Sequence, residues 1–191
     1  TETTSLDEMR AGLVGVSLAT EPGVACYVPL THRTGGGDLF DTDALAEGQI
    51  PLNRALEMLK PMLEDASILK VGQNMKYDLK IFARQGIAVS PIDDTMLLSY
   101  AQHAGLHGHG MDTLADRYLN HQCIPIKDLI GTGKSQVTFD RVEVDRAAPY
   151  AAEDADVTLR LHRLLKPRLH SAKVTKVYET LERPLVSVLA R

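Results

Sequence analysis

The stretch SILKVGQNMKYDLKIFARQG, residues 67–86, constrains the fold more than any other part of the chain. A short apolar run ends at Gly72, and the residues from Asn74 to Gln85 then follow a helical pattern that Gly86 stops. A buried strand that leads directly into a helix is the repeating unit of α/β proteins. The chain is therefore predicted to form layers of strands and helices.

Patterns elsewhere in the chain agree with an α/β structure. Ala11–Thr20 and Gly23–Leu30 alternate apolar and small residues around the turn sequence TEPG, which predicts an antiparallel β-hairpin. The leading TETTSLD is too short and too polar for a strand, so the first strand of the sheet is expected to be truncated, with its remainder before Thr1. Other predicted elements are a helix over Leu52–Leu63, a loop in THRTGGGDLFDTD, a strand in IAVSPID, helices in DTMLLSYAQ and MDTLADRYL, an irregular segment over 120–145, a long helix from about Pro149 to Leu165, and a last helix over Val174–Ala190 that Pro184 should kink.

Length and composition limit what the chain can do. Its 191 residues suit one domain, and a net charge of −4 argues against an extended grip on duplex DNA but not against a short contact with a strand end. No apolar run approaches the roughly 20 residues that a membrane span needs, so no membrane partner is expected. Cys26 and Cys123 lie far apart, outside any C-x-x-C pattern, and predict neither a disulfide framework nor a zinc site.

Two polar pairs stand at helical spacing. Asn74 lies one turn before Asp78, and Tyr150 lies one turn before Asp154, so each pair shares a helix face. Asn74 also suits a helix N-cap, and Asp78 could be an ordinary surface acid. Glu2 would stand at the end of a leading strand, where α/β sheets collect their chemistry. Carboxylates gathered from three segments would repel one another unless divalent cations such as Mg²⁺ or Mn²⁺ joined them.

Four motifs carry a resemblance to a known family. TETTSLD, VGQNMKYDLKIF, DDTMLLSYAQ and YAAEDADVTLRLH resemble, in this order, the exonuclease motifs of bacterial family A DNA polymerases, the DNA polymerase I group. The resemblance extends from Thr1 to Arg191 and implies the ribonuclease H-like exonuclease fold, with a mixed central sheet flanked by helices. It also implies 3′→5′ removal of nucleotides from a DNA strand end. Tyr150 indicates the tyrosine subtype of the DEDD nucleases.

The resemblance also implies roles for individual residues. Two Mg²⁺ or Mn²⁺ ions would be held by three acids of this chain and by an Asp expected immediately before Thr1. His107 and His109 stand where the family often has an arginine in the loop before the MD helix. The implied catalytic residues are Glu2, Asp78, Tyr150 and Asp154, of which Glu2, Asp78 and Asp154 bind metal, and the implied substrate-binding residues are Leu6, Gln73, Asn74 and Tyr77.

A domain organisation follows from the same resemblance. Residues 1–170 would form the exonuclease domain, and 171–191 a helix leading towards a polymerase domain in cis. The expected partner is a single-stranded DNA 3′ end, and the protein is expected to be a cytoplasmic, nucleoid-associated monomer. Two alternatives stay open: a structural exonuclease-like module without activity, and a 3′→5′ exoribonuclease of the same fold. Because the expected Asp is not in the chain, the activity of the chain by itself is also open.

Overall fold

A computed structural model of the chain describes residues 1–34 and 44–190. Its strands form three separately hydrogen-bonded sets. An antiparallel sheet of order β1-β2-β3 contains the predicted hairpin, and two short pairs, β4-β5 and β6-β7, lie beside it. The strands are β1 Glu2–Thr3, β2 Leu13–Glu21, β3 Val24–Pro29, β4 Arg33–Thr34, β5 Ala44–Leu45, β6 Lys70–Gly72 and β7 Ile92–Asp94.

The helices cover much more of the chain than the strands. They are α1 Leu52–Glu64, α2 Met75–Ala83, α3 Thr95–His103, α4 Met111–Leu119, α5 Ile126–Ile130, α6 Val144–Ser171, α7 Thr175–Val177 and α8 Arg183–Leu189, with 3₁₀ turns at Gly133–Ser135 and Phe139–Arg141. Among the described residues, none of these helices combines the length and apolarity that crossing a membrane would require.

The hairpin and the strand-to-helix unit follow the sequence pattern closely. In the hairpin, Gly15 lies opposite Pro29, and an added Cβ there would come within 2.2 Å of the Tyr27 hydroxyl, so only glycine fits without a shift. The parallel pair β6-β7 places Gly72 beside Asp94. Helices α2 and α3 both begin where these two strands end, and their first turns therefore meet at the carboxyl edge of the pair.

Two predicted elements differ from the observed ones. TETTSLD does contribute a strand, since Glu2 and Thr3 pair with Gly15 and Leu13 of β2. The long helix is longer than predicted: α6 contains both Pro149 and Pro167. Pro149 lies in the second turn of α6, and four residues of the helix follow Pro167. The prediction ended the helix before Pro167 because proline usually ends a helix.

The C-terminal helical region is interrupted, as predicted, and the interruption is a π turn. A π turn over Tyr178–Glu182 joins α7 to α8, and Pro184 follows in the first turn of α8. The hydrogen bonds of a π turn join residues five apart instead of four. The hydrogen bond to residue i−4 that a proline would remove is therefore already missing there. The loop predicted in THRTGGGDLFDTD lies partly outside the described residues, because 35–43 are not described; on either side of that gap β4 pairs with β5.

The interior forms three apolar clusters, and the long helix α6 contributes to two of them. One cluster lies between α1, α2 and the hairpin, and it includes Leu63 and Phe82. A second packs α3 and α4 on α6 around Leu161. The third packs Phe139 and Tyr150 near Val14 of the hairpin. Because α6 lies against both β2 and β3, one side of its first half faces the sheet that carries Glu2.

Candidate active site

Three separate elements bring the predicted acids into one region. Glu2 lies in β1, whose pairing with Gly15 fixes its position on the sheet. Asp78 lies in the first turn of α2 and binds Thr1: its Oδ1 accepts hydrogen bonds from the Thr1 amino group at 2.9 Å and from the Thr1 hydroxyl at 2.7 Å. Asp154 lies in α6, and its carboxyl is electrostatically coupled to both Glu2 and the Thr1 amino group.

The carboxyl of Asp154 is the most perturbed acid in this region. Burial raises its pKa to about 8, and the neighbouring Glu2 carboxylate acts in the same direction. The Thr1 amino group and the Tyr150 hydroxyl oppose that rise without cancelling it. Its Oδ1 atom is buried and has no hydrogen-bond partner within the described part of the chain. A buried acceptor without a partner is costly, and a cation would satisfy it.

Glu2 shows the same imbalance of charge. Burial raises the pKa of Glu2, and the Asp78 carboxylate acts in the same direction. The Glu2 carboxylate in turn raises the pKa of Asp154. The three acids therefore act on one another, and this region is negatively charged.

The surroundings of Tyr150 favour the protonated form of its hydroxyl. Its ring packs against Phe139 at a centroid distance of 5.8 Å. Burial raises the pKa of its hydroxyl, and the carboxylates of Asp154 and Glu2 raise it further. The hydroxyl is therefore protonated at neutral pH and can donate a hydrogen bond, but it is a poor general base.

The donor set suits a hard divalent cation. Glu2, Asp78 and Asp154 offer only carboxylate oxygens, which Mg²⁺ and Mn²⁺ prefer, and the buried orphan oxygen of Asp154 shows that this demand is not met within the described protein. Their ligand atoms are not all within 4.8 Å of one another, however. The acids thus border a shared region instead of forming a closed cage, as expected for an ion that also binds water and phosphate.

The predicted substrate-binding residues lie around the same edge but make different contacts. The Gln73 side chain accepts a hydrogen bond from Thr95 Oγ1 at 2.5 Å and donates one to the carbonyl of His109 at 2.8 Å. Gln73 therefore connects the start of α2 to the loop before α4. The Tyr77 hydroxyl donates to the carbonyl of Ser5 at 2.5 Å and also contacts Thr3 Oγ1.

These contacts give Tyr77 an additional structural function. By binding the backbone of Ser5, it fixes the segment that carries Leu6 next to the acids. The Leu6 side chain itself is 94% exposed, which is unusual for a leucine and leaves it available to a ligand. Tyr77 therefore positions the segment that carries Leu6, a residue predicted to bind substrate.

Asn74 does not cap α2 in the manner that its residue type suggests. It has φ of +58° in the left-handed region and makes no side-chain capping hydrogen bond. Asp94 takes over that function: its carboxylate accepts hydrogen bonds from the backbone N–H groups of Asn74 and Met75 at 3.1 and 2.8 Å. The exposed Asn74 side chain is left free for other contacts.

Asp94 is a positioning residue that the sequence analysis did not single out. The same carboxylate also caps α3, since it accepts from Met96 and Leu97 at 2.9 and 3.4 Å. Burial raises the pKa of Asp94, against the hydrogen bonds that favour its ionised form. One carboxylate thus fixes the first turns of two helices. The signal was present in the DDT sequence after a predicted strand, because Asp is a preferred N-cap residue.

Comparison with known proteins places this site in a family. Residues 1–170 match the family model described as a 3′-5′ exonuclease. The chain belongs to this exonuclease family. The sequence resemblance and the predicted ribonuclease H-like fold are thereby confirmed.

Two relatives of this chain are named DNA polymerase I. The one from Rhizobium leguminosarum is 56% identical over the whole of this chain, and the one from Pseudomonas aeruginosa is 45% identical over the whole of it. In both cases the chain spans only 20% of the relative's length. The chain therefore corresponds to the exonuclease portion of these much longer proteins.

Solved structures support the same fold. Brucella melitensis NrnC superposes with a TM-score of 0.69 at 21% identity, over 100% of this chain and 79% of NrnC. The structure of Pol1 from M. smegmatis with DNA primer-template and dNTP gives a TM-score of 0.57 at 21% identity, over 75% of this chain and 21% of that one. At such low identity, these similarities show the exonuclease fold alone.

Proposed function

We propose that this exonuclease family member removes nucleotides one at a time from the 3′ end of a DNA strand, and that it serves proofreading beside a polymerase domain in cis. One observation carries this proposal: Asp154 is buried, its pKa is raised by Glu2, and its Oδ1 atom has no hydrogen-bond partner among the described residues. Such an acid is costly to the fold by itself and suits a bound cation. The relatives named DNA polymerase I supply the reason to prefer DNA and a polymerase partner.

Glu2, Asp78 and Asp154 would hold the divalent cations, Mg²⁺ or Mn²⁺, with two ions as the expected number. When bound, such ions supply an activated water and relieve the charge on the phosphate and the leaving oxygen. Solved structures of NrnC include one with bound Mg²⁺, which is an observation on that protein. A second carboxylate-bound ion is consistent with the acids bordering an open region instead of a closed cage.

The remaining residues position the strand and the water. The protonated Tyr150 hydroxyl can donate a hydrogen bond to a phosphate oxygen or to the attacking water, and Glu2 can accept one from that water. The exposed Leu6 would pack against the terminal base, and Tyr77 keeps its segment in place. Gln73 and the exposed Asn74 lie at the start of α2, where they would contact the terminal nucleotide.

A single unpaired strand suits this arrangement better than a duplex. The net charge of −4 offers little general attraction for phosphates, whereas an exposed apolar wedge can contact a base only when that base is unstacked. A mismatched end frays more easily than a paired one, and this difference would direct cleavage to errors. Gln73 donates a hydrogen bond to the His109 carbonyl, so the loop with His107 and His109 lies beside the start of α2. We propose that this loop contacts the strand in place of the arginine that the family often has there.

The decisive experiment uses the natural polypeptide that carries this chain. A 5′-labelled single-stranded DNA incubated with Mg²⁺ should become shorter in steps of one nucleotide and release mononucleotides. Asp78→Ala should lose this activity while its far-ultraviolet circular dichroism and melting temperature stay close to the parent. The matched control is Asp116→Ala, which removes an exposed acid of α4 and should leave the rate unchanged.

The same assay separates the alternatives. Equal or faster shortening of an RNA strand of matched sequence would replace the DNA proposal by an exoribonuclease. An inactive structural module predicts no shortening of either strand and no heat on calorimetric titration with Mn²⁺. If Asp78→Ala shortens DNA at the parent rate, the role assigned to Asp78 is wrong.

A further inference from the structure

We propose that His121, Cys123 and Glu153 form a binding site for a thiophilic transition-metal ion, with Zn²⁺ as the chemical class that fits best. Within the described chain these three residues are the group of potential ligands whose His, Cys and carboxylate atoms all lie within 4.8 Å of one another. None of them belongs to the oxygen-only acid set proposed for catalysis. A thiolate, an imidazole and a carboxylate are a typical zinc donor set.

The backbone fixes the segment that carries two of these ligands. Helix α4 ends at Asn120 in the left-handed conformation, and the His121 N–H then donates to the carbonyl of Ala115 at 3.2 Å. This turn brings the chain back towards α6, with His121 and Cys123 on the approaching segment. Ligands held by a capped helix end lose little conformational entropy when an ion binds.

Glu153 of α6 meets that segment from the other side. Its Oε1 lies 2.8 Å from His121 Nε2, and its Oε2 accepts a hydrogen bond from the N–H of Ile124 at 2.6 Å. The second contact orients the carboxylate from outside, as the supporting groups of metal ligands commonly do. Because the carboxylate is held by the backbone, Oε1 remains directed at the imidazole and can serve as a ligand.

The spacing allows an ion to enter with small side-chain movements. Zinc bonds to N, O and S of about 2.0–2.3 Å place neighbouring ligand atoms about 3.3–3.7 Å apart in a tetrahedral site. The distance between His121 Nε2 and Glu153 Oε1 would increase by about half an ångström. Cys123 Sγ now lies within 4.8 Å of both atoms and would move closer to them. The fourth position would be taken by water or by Asp112, whose carboxylate lies beside the thiol.

The charge around the thiol also suits a cation. Burial, and then the carboxylates of Asp112, Glu153 and Asp154, raise the pKa of the Cys123 thiol to about 12, so the thiol keeps its proton until a metal ion displaces it. On binding, the thiol gives its proton to solvent and the sulfur–metal bond forms, with no change in oxidation state. The alternative is that His121 and Glu153 form only a hydrogen-bonded pair that supports the segment, with Cys123 as an apolar neighbour.

Cobalt(II) as a spectroscopic substitute for zinc separates these two possibilities in the chain Thr1–Arg191. Co²⁺ should give a sulfur-to-metal charge-transfer band in the near ultraviolet, and Zn²⁺ should displace it stoichiometrically. Cys123→Ser should lose the band, and His121→Gln and Glu153→Gln should weaken Zn²⁺ affinity by at least about tenfold. Cys26→Ser, which changes the exposed other cysteine, should keep the band.

Two further measurements keep the test decisive. Asp78→Ala should retain the cobalt band, since the site is separate from the proposed catalytic acids, and its failure as an exonuclease would not affect this result. In the Cys26→Ser background, Zn²⁺ should slow the reaction of Cys123 with a thiol reagent at least tenfold. No band, a band that survives Cys123→Ser, or unprotected Cys123 at saturating Zn²⁺ would each overturn the proposal.

Discussion

Asp93 and Asp154 are two buried acids with opposite surroundings. Asp93 is fully buried, and its carboxylate accepts hydrogen bonds from His162 Nε2 at 2.8 Å, Lys166 Nζ at 3.0 Å and the Tyr178 hydroxyl at 2.9 Å. Burial would raise the pKa of Asp93, but these contacts outweigh it and lower the pKa to about 2. For Asp154, the Tyr150 hydroxyl and the Thr1 amino group do not outweigh burial, and its pKa rises to about 8.

This difference separates a structural acid, Asp93, from the acid that we propose to be functional, Asp154. The partners of Asp93 come from α6 and from the π turn that follows α7, so the acid joins the end of the chain to β7. Lys166 and the Tyr178 hydroxyl both bind Asp93 Oδ1, and His162 binds Oδ2, so both oxygens have protein partners. Asp154 has Glu2 as its neighbour instead of a lysine, and it therefore retains the capacity to bind a cation. Burial alone does not distinguish these functions; the charge of the neighbours does.

Exonuclease rates of variants at the two acids test this comparison most directly. Asp154→Asn keeps the shape of the side chain but removes its charge, and we expect it to lower the exonuclease rate by at least about 100-fold, because even supporting residues of metal sites contribute about 10–100-fold. Asp93→Asn should leave the rate per folded molecule unchanged. Single-turnover measurements on labelled single-stranded DNA check both variants, and similar losses in the two would contradict the distinction.

The free energies of unfolding of the same two variants should show the reverse order, with the larger loss in Asp93→Asn. Asp93→Asn leaves His162 and Lys166 facing a neutral amide in a buried place, and we expect the free energy of unfolding to fall by about 3 kcal/mol. Asp154→Asn should not lower it in metal-free buffer, because burial disfavours the ionised form of Asp154 and the amide carries no charge. Urea denaturation with EDTA present measures both values. A more stable Asp93→Asn variant would show that its ion pairs do not repay their desolvation.

The two acids should also respond oppositely to pH. The stability contributed by Asp93 is complete above its unfolded pKa of 3.8 and is lost as pH falls towards about 2, by about 2 kcal/mol in total. For Asp154 the raised pKa means that the protonated form is the stable one, so stability falls as pH rises from 3.8 towards about 8. Urea denaturation over this range should show each slope disappear in the corresponding Asn variant and persist in the other.

Among the contacts of Asp93, the one with Arg183 should contribute least to the free energy of unfolding. Arg183 Nη1 lies 3.5 Å from Asp93 Oδ1, and the arginine side chain is 35% exposed. Water competes with this contact, and Arg183→Gln should therefore cost less than about 1 kcal/mol. Lys166→Met is the matched comparison, since Lys166 also interacts with the Tyr178 ring and should cost more. Equal losses measured by urea denaturation would show that distance and exposure do not rank these contacts.

Local patterns predicted the elements that depend on neighbouring residues. The hairpin around TEPG, the strand ending at Gly72 and the helix closed before Gly86 were all visible as periodicity and turn residues. The spacing of Asn74 with Asp78 and of Tyr150 with Asp154 placed each pair on one helix face. The ends of α6 were predicted wrongly, because proline was taken to stop a helix that packing on the sheet continues through it.

The sequence by itself determined the order of elements, the family and the identity of the candidate acids, because these depend on residue type and spacing. Only the tertiary structure decided which acid is neutralised and which is not. Asp93 and Asp94 are adjacent in the chain, yet one binds the cations of α6 and the other caps α2 and α3. Likewise, His121 and Cys123 meet Glu153 only through the packing of α4 on α6. Such neighbours are far apart in sequence, and an acid's pKa depends on them through distance and burial.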